Sequence, residues 1–253
     1  VAAIKTANTA TATLPEKKTC PFKQCDGSGY LITGDFKYKQ CECTHKKREQ
    51  ILIEELFNAA RVPRRFRNKN FDNFEQKLQP KALQVCKRYT EQFESISSQG
   101  KNGLFLFGPS GTGKSHLAFA ILNNVLGQVS VVAGVVPELL DLLRPKSAKT
   151  EAEAKQRNTE AEKRLELLKD AELIILDDLG AERSSPWVME KLFLIINARY
   201  IEQLPTVITS NIPLEGLEID ESGKPVRSWE RITSRIMEMC YLIPMDGEDY
   251  RKR

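Results

Sequence analysis

From about residue 103 onward, short and mostly apolar runs alternate with longer segments. The runs are Leu104–Phe107, Ser130–Val135, Leu173–Leu176, Thr206–Thr209 and Tyr241–Ile243. Strand-sized runs separated by helix-length stretches predict a parallel sheet with helices on both faces. Residues 144–170 depart from this rhythm. They are charged and helix-prone, with few large apolar residues before Leu165, which predicts an exposed helical insertion with a solvated face.

The pattern upstream is weaker. Lys81–Ser97 reads as a helix, and Thr44–Ala60 as another, with Ile51, Leu52, Leu56 and Phe57 at helical spacing. Between them Arg61–Phe74 is basic, aromatic and irregular, and Pro63 breaks the preceding helix. Tyr30–Thr33 and Phe36–Gln40 flank Gly34 and Asp35 and predict a short hairpin. Residues 1–18 are low-complexity, rich in Ala and Thr, and predict a disordered tail. The chain is therefore divided into 1–18, a small module at 19–48, a helical linker and core-flanking segment at 49–102, and a core at 103–253.

Composition narrows the class. Of 253 residues, 41% are hydrophobic and 28% charged, which excludes collagen-like, mucin-like and wholly disordered chains. No apolar run approaches the roughly 18–20 residues of a membrane span, and no apolar segment follows the N-terminus. A cytoplasmic location without a membrane is expected. The net charge of +4 is uneven: residues 1–79 hold 15 Lys and Arg against 9 Asp and Glu, and the remainder 23 against 25. The basic excess points to a partner of the N-terminal third, or simply to a solvated basic face.

Four of the six cysteines, Cys20, Cys25, Cys41 and Cys43, fall in the small module with the spacing C-x4-C-x15-C-x-C. In a reducing compartment such a cluster reads as metal binding before disulfides. Zinc prefers C-x2–4-C pairs, so the first pair is at the wide limit and the second is tight. Gly27 and Gly29 supply a turn, and the hairpin returns the second pair to the first. A structural zinc would contribute roughly 10–16 kcal/mol to a segment too poor in large apolar residues to fold alone. His45 is an alternative to Cys43 as fourth ligand. Thiols in a flexible tail, or a disulfide, are the competing readings. Cys86 and Cys240 are expected to be buried and inert.

The strongest chemical signal is Gly108-Pro109-Ser110-Gly111-Thr112-Gly113-Lys114-Ser115, which matches G-x-x-x-x-G-K-[ST] between a strand and an apolar helix. Its backbone N–H groups and the helix N-terminus suit a polyphosphate. Lys114 would reach the β- and γ-phosphates and Ser115 would ligate Mg²⁺. His116 follows and is placed near the nucleotide. About 60 residues later, Leu173–Leu176 ends in Asp177 and Asp178. Asp177 suits Mg²⁺, and Asp178 suits a general base for water. Thr206-Val-Ile-Thr-Ser-Asn211 ends another strand in polar groups that could hold that water.

Together, GPSGTGKSH, LIILDDLGAE, TVITSNIP, ERITSRIMEM and the upstream RVPRRFRNKNFDNF resemble the AAA+ ATPases, and within them the bacterial DnaC/DnaI helicase-loader family. The resemblance covers about residues 50–253. It implies an ATP- and Mg²⁺-dependent ATPase that loads a hexameric replicative helicase and binds single-stranded DNA. It makes Arg235 the candidate arginine finger toward a neighbouring subunit, with Arg231 as runner-up, and so implies self-association through that face. Some loaders carry an N-terminal zinc module that contacts the helicase. Three features depart from the pattern. Asp178 stands where many relatives have Glu, no helical lid fits after the last strand, and the cysteine spacing is unusual. Lacking a lid, the nucleotide site would draw on neighbouring subunits or on the basic Arg251-Lys252-Arg253. IstB-type transposition helpers have a nearly indistinguishable core, and an ATP-binding adaptor with little hydrolysis is a further alternative.

Overall fold

The computed structural model describes residues 25, 30–33, 37–41, 62–144, 147, 150–182, 184–220 and 222–252. The chain divides into two units, Val1–Glu55 and Leu56–Arg253. In the first, β1 (Tyr30–Thr33) pairs antiparallel with β2 (Lys37–Gln40), with Tyr30 opposite Gln40 and Thr33 opposite Lys37. This is the expected hairpin. Cys41 directly after it is buried and Cys25 is half-buried. Cys20, Cys43, His45, the expected tail and the expected helix at 44–60 lie outside the described residues.

In the second unit, a helical turn at Arg64–Phe66 precedes α1 (Pro80–Glu91) and α2 (Phe93–Ser97). The single helix expected at 81–97 is thus broken at Gln92. Then follow β3 (Gly103–Phe107), α3 (Lys114–Val125), β4 (Val131–Val135), α4 (Val136–Asp141) and α5 (Glu151–Asp170). The chain continues through β5 (Leu173–Leu179), α6 (Pro186–Ile201), β6 (Thr206–Ser210), α7 (Leu214–Leu217), α8 (Arg227–Met239) and β7 (Cys240–Pro244). The five strands β3 to β7 form one parallel sheet in the order β4-β5-β6-β3-β7.

Alternation along each strand sends side chains to two cores. Leu104, Leu106, Leu173, Ile175 and Val207 join α1 and α3 on one face. Phe105, Ile174, Leu176 and Ile208 join α4, α6 and α8 on the other. α3 is buried almost all round, with Leu117 through Leu122 fully covered. Its outer side is covered by the segment before α1, where Phe66 stacks on Phe119 at 4.2 Å. α5 is the expected exposed insertion: among its residues only Leu168 is buried, and Thr150 caps its N-terminus by accepting from Glu153 N–H.

One buried charge ties three elements. Arg199 is fully covered, and its guanidinium donates to the carbonyls of Leu168, Lys169, Ala171 and Pro205 and to Thr206 Oγ1. Two of these carbonyls are at the end of α5, where a cation meets unpaired acceptors and the negative end of the helix dipole. Burial lowers the pKa of Arg199 to about 9, so it remains charged at neutral pH.

The strand order fixes where chemistry can occur. β3 leads across β6 and β5 to β4 at one edge, whereas β7 lies on the opposite side of β3. The carboxyl ends of β5, β6 and β3 therefore converge at the point where the winding reverses, the favoured place for a ligand in an open parallel sheet.

Candidate nucleotide-binding site

The loop between β3 and α3 begins at Gly108 and delivers Lys114 and Ser115 to the first turn of α3. Two of its glycines are dictated by close approach. Gly111 has φ 81°, and a Cβ there would lie 1.8 Å from Asp249 Oδ1. Gly113 has φ 96°, and a Cβ there would lie 2.6 Å from the Phe74 ring. The loop is thus gripped from both sides. After β7 the chain turns over it, with Met245 N–H donating to Phe107 O at 2.8 Å and Tyr250 N–H to Gly111 O at 3.1 Å. Asp249 and Arg251 form a bidentate pair on this segment, and the guanidinium holds the Asp249 carboxyl down at about 2.

Lys114 is buried and its Nζ donates to Gly108 O and Pro109 O, both at 2.7 Å. Burial pushes its pKa down, while Asp178 and Asp177 favour its charge. Thr112 Oγ1 also donates to Pro109 O, at 3.0 Å. Ser110 Oγ reaches Asn211 Oδ1 at 3.4 Å, linking the loop to the end of β6.

The structure brings the acidic pair to the same place. Asp177 is buried, which raises its pKa, opposed by hydrogen bonds from Thr209 and Ser115. Thr209 Oγ1 donates to Asp177 Oδ1 at 2.6 Å. The strand expected to end at Leu176 instead runs to Leu179, with an irregularity between Leu176 and Leu179. Asp178 lies within it at φ 62°, and its Oδ1 accepts from Asn211 Nδ2 at 2.7 Å. The pair differs accordingly: Asp177 faces the Ser115 hydroxyl, Asp178 faces Asn211. A serine hydroxyl hydrogen-bonded to a buried carboxylate, both hard oxygen donors, fits a Mg²⁺ ion. Among the described residues no cluster of three or more His, Cys, Asp and Glu side chains suited to a metal occurs.

His116 turns away from the loop. Its Nε2 lies 2.9 Å from both Asn70 O and Asn73 Oδ1, and its ring meets Phe74 edge-on at 5.1 Å. Two acceptors place a hydrogen on Nε2; burial lowers the pKa of the ring, opposed by its bond to the Asn70 carbonyl. The side chain of His116, expected near the nucleotide, makes its polar contacts with the 70–74 segment. Arg235 and Arg231 are not brought to the loop of their own chain. Arg235 donates to Asn197 Oδ1 at 2.8 Å and to Arg231 O at 2.7 Å. Both guanidiniums lie over Phe193, at 4.8 and 4.1 Å.

Sequence reasoning missed Thr209, the Asn70–Asn73 contacts and Asn123, whose Nδ2 donates to the carbonyls of Phe66, Arg67 and Lys69. The position of Thr209, two residues before Asn211 on a strand beside Asp177, was the available signal. The asparagines carried none, since they read as ordinary turn residues.

A phosphate loop, a metal-ready Ser–Asp pair and a polar strand end on a parallel sheet define a nucleotide-binding P-loop protein. The family model described as "IstB-like ATP binding protein" matches residues 38–253, and the chain belongs to that family. It is similar to the phage-like element PBSX protein XkdC of Bacillus subtilis, 28% identical over 89% of this chain and 82% of that one. It is also similar to the replicative helicase loader DnaI of the same organism, 25% identical over 86% of this chain and 69% of that one. The crystal structure of the DnaC helicase loader superposes with a TM-score of 0.57 at 27% identity, covering 73% of this chain and 100% of that chain. The family resemblance read from the motifs is thereby confirmed. No helix among the described residues is long and apolar enough to cross a membrane.

Proposed function

We propose that this chain is an ATPase that loads a hexameric replicative helicase onto single-stranded DNA. The observation carrying the enzymatic part is the hydrogen-bonded run Ser115–Asp177–Thr209–Asp178–Asn211 beside the phosphate loop. Ser115 and Asp177 would hold Mg²⁺, which supplies charge neutralisation at the β- and γ-phosphates. Lys114 exchanges its loop carbonyls for phosphate oxygens. Asn211 occupies one oxygen of Asp178 and leaves the other to take a proton from water. The water oxygen bonds to the γ-phosphorus, the bridging β–γ P–O bond breaks, and ADP and phosphate leave. Arg235 would complete the site of a neighbouring subunit, releasing Asn197 to meet the phosphate charge.

The loader role is supported by relatives named as replicative helicase loaders. The N-terminal third, with its basic excess and with zinc held by Cys20, Cys25, Cys41 and Cys43, is the part assigned to the helicase. The match to an IstB-like family favours one second reading, a transposition helper. Capture of a purified hexameric helicase against a purified DDE transposase separates the two. ATP turnover with and without single-stranded DNA tests hydrolysis, and absence of turnover would leave a nucleotide-binding adaptor.

A further inference from the structure

The proposed reaction gives roles to Asp177, Asp178 and Asn211 and none to Thr209. Yet Thr209, 1% exposed on β6, is the group through which the two carboxylate residues are joined. Its Oγ1 donates to Asp177 Oδ1 at 2.6 Å and accepts from Asp178 N–H at 2.9 Å. A hydroxyl has one hydrogen, so these bonds use it in one direction: given to the carboxylate, received from the backbone.

The second bond has a geometric cause. Between Leu176 and Leu179 the β5–β6 register shifts, and within that gap Asp178 adopts φ 62°. A left-handed backbone is unfavourable for a residue with a Cβ and persists where surrounding contacts hold it. Here the contacts come from two successive residues of β6. Thr209 takes the Asp178 N–H, and Ser210 Oγ donates to Leu179 O at 2.7 Å beyond the shift. The turned backbone is what sets the Asp178 carboxylate against Asn211 at 2.7 Å.

The geometry points to Thr209 as a positioning residue that locks the Mg²⁺-side carboxylate and the backbone of the base into one unit. Through it, Asp177 keeps its orientation toward Ser115, and Asp178 keeps the conformation that presents its carboxylate to the cleft. Thr209 acts through these two residues, as their hydrogen-bond partner. This inference rests on the ATPase reading of the site, and its test is arranged so that the two fail separately.

The test compares wild type with Thr209→Val, which preserves shape and removes the hydroxyl, and Thr209→Ser, which preserves the hydroxyl. Binding of a fluorescent ATP analogue is titrated with Mg²⁺, and turnover is followed at saturating ATP. Thr209→Val should bind the analogue normally in EDTA. It should need about tenfold more Mg²⁺ for half-maximal tightening and lose roughly 10- to 100-fold in kcat, the usual effect of removing a partner that orients a metal ligand. Thr209→Ser should restore both. If Thr209→Val does not fold, Thr209→Ala carries the same readouts. Wild-type Mg²⁺ half-saturation in the Val variant would overturn the inference, and so would a Ser variant as impaired as Val, since the hydroxyl alone would then not supply the link. If the wild-type protein turns over no ATP, the hydrolysis reading alone fails, and Mg²⁺ half-saturation still decides the role of Thr209.

Discussion

Adjacent carboxylates at the end of β5 have different surroundings, and the difference separates their expected defects. Asp177 is buried against two hydroxyls, whereas Asp178 is half-buried and meets the Asn211 amide. Asp178→Asn should keep nucleotide and Mg²⁺ binding and lose turnover by at least 10²-fold, because an amide accepts no proton. Asp177→Asn should instead weaken Mg²⁺-dependent binding. Parallel Mg²⁺ titrations and steady-state assays distinguish them, and an Asp178→Asn protein with wild-type turnover would remove this residue as the base. Gly111 gives a purely steric prediction. Gly111→Ala places a Cβ on Asp249 and an alanine at φ 81°, a cost of about 1–3 kcal/mol for the backbone alone. Denaturant unfolding should show that loss, and a second change, Asp249→Gly, should recover only the part due to the Asp249 side chain, since the Asp249 Cα also lies 2.7 Å from that Cβ. Thr209 shows why some of the site was not legible. A threonine on a buried strand reads as a strand former, and only the pairing of β5 with β6 turns its hydroxyl into a link between two carboxylates.

At the level of elements, the sheet was legible because each strand is a short apolar run and the phosphate loop marks where the first strand ends. The carboxylates of Asp177 and Asp178 were legible for the same reason, standing at the end of such a run. The rest depends on contacts distant in sequence. Nothing local marks the break at Gln92 or the register shift at Asp178. Arg199 at the end of α6 reads as a solvent-facing cation, yet the backbone carbonyls around α5, β5 and β6 enclose it. Arg199→Met should leave those carbonyls buried without a donor and destabilise the unit by on the order of 3 kcal/mol, measured by denaturant unfolding. An unchanged midpoint would mean water reaches them. The strap at 70–74 carries a pH dependence. The folded-state pKa of His116 lies below its ordinary value of 6.5, so the unfolded chain binds more protons in the window between the two. The contribution is therefore complete at pH 7 and is lost as pH falls through 6.5 toward the lowered folded value. Unfolding free energies between pH 5 and 8 should fall more steeply in wild type than in His116→Phe over that window. Parallel curves would place the titration elsewhere.

Considered whole, the chain separates a basic, cysteine-rich N-terminal part from a nucleotide-binding unit whose every site residue lies beyond Leu56. Lys114, Ser115, Asp177, Asp178, Thr209 and Asn211 lie on β5, on β6 or directly after it, and in the first turn of α3, and they bond to one another and to the phosphate loop. The two functions are therefore expected to be separable in the full-length protein. Purified under reducing conditions, it should contain one zinc per chain. Cys20→Ser combined with Cys41→Ser should remove that zinc, because two of four thiolate ligands are lost and a closed site is not held by the remaining pair. The variant should keep wild-type ATP affinity and turnover, since among the described residues the hydrogen bonds of Lys114, Asp177, Asp178 and Asn211 end within the second unit. It should lose capture of the hexameric helicase, because the basic excess and the proposed zinc ligands belong to the same segment. Zinc content by atomic absorption, ATP turnover and helicase capture on one preparation decide the matter together. Zinc-free wild-type protein would dismiss the metal. Helicase capture that survives loss of zinc would place the helicase contact on the nucleotide-binding unit instead. Loss of turnover alongside zinc would show that the parts are coupled, and would make the cysteine module a component of the ATPase cycle.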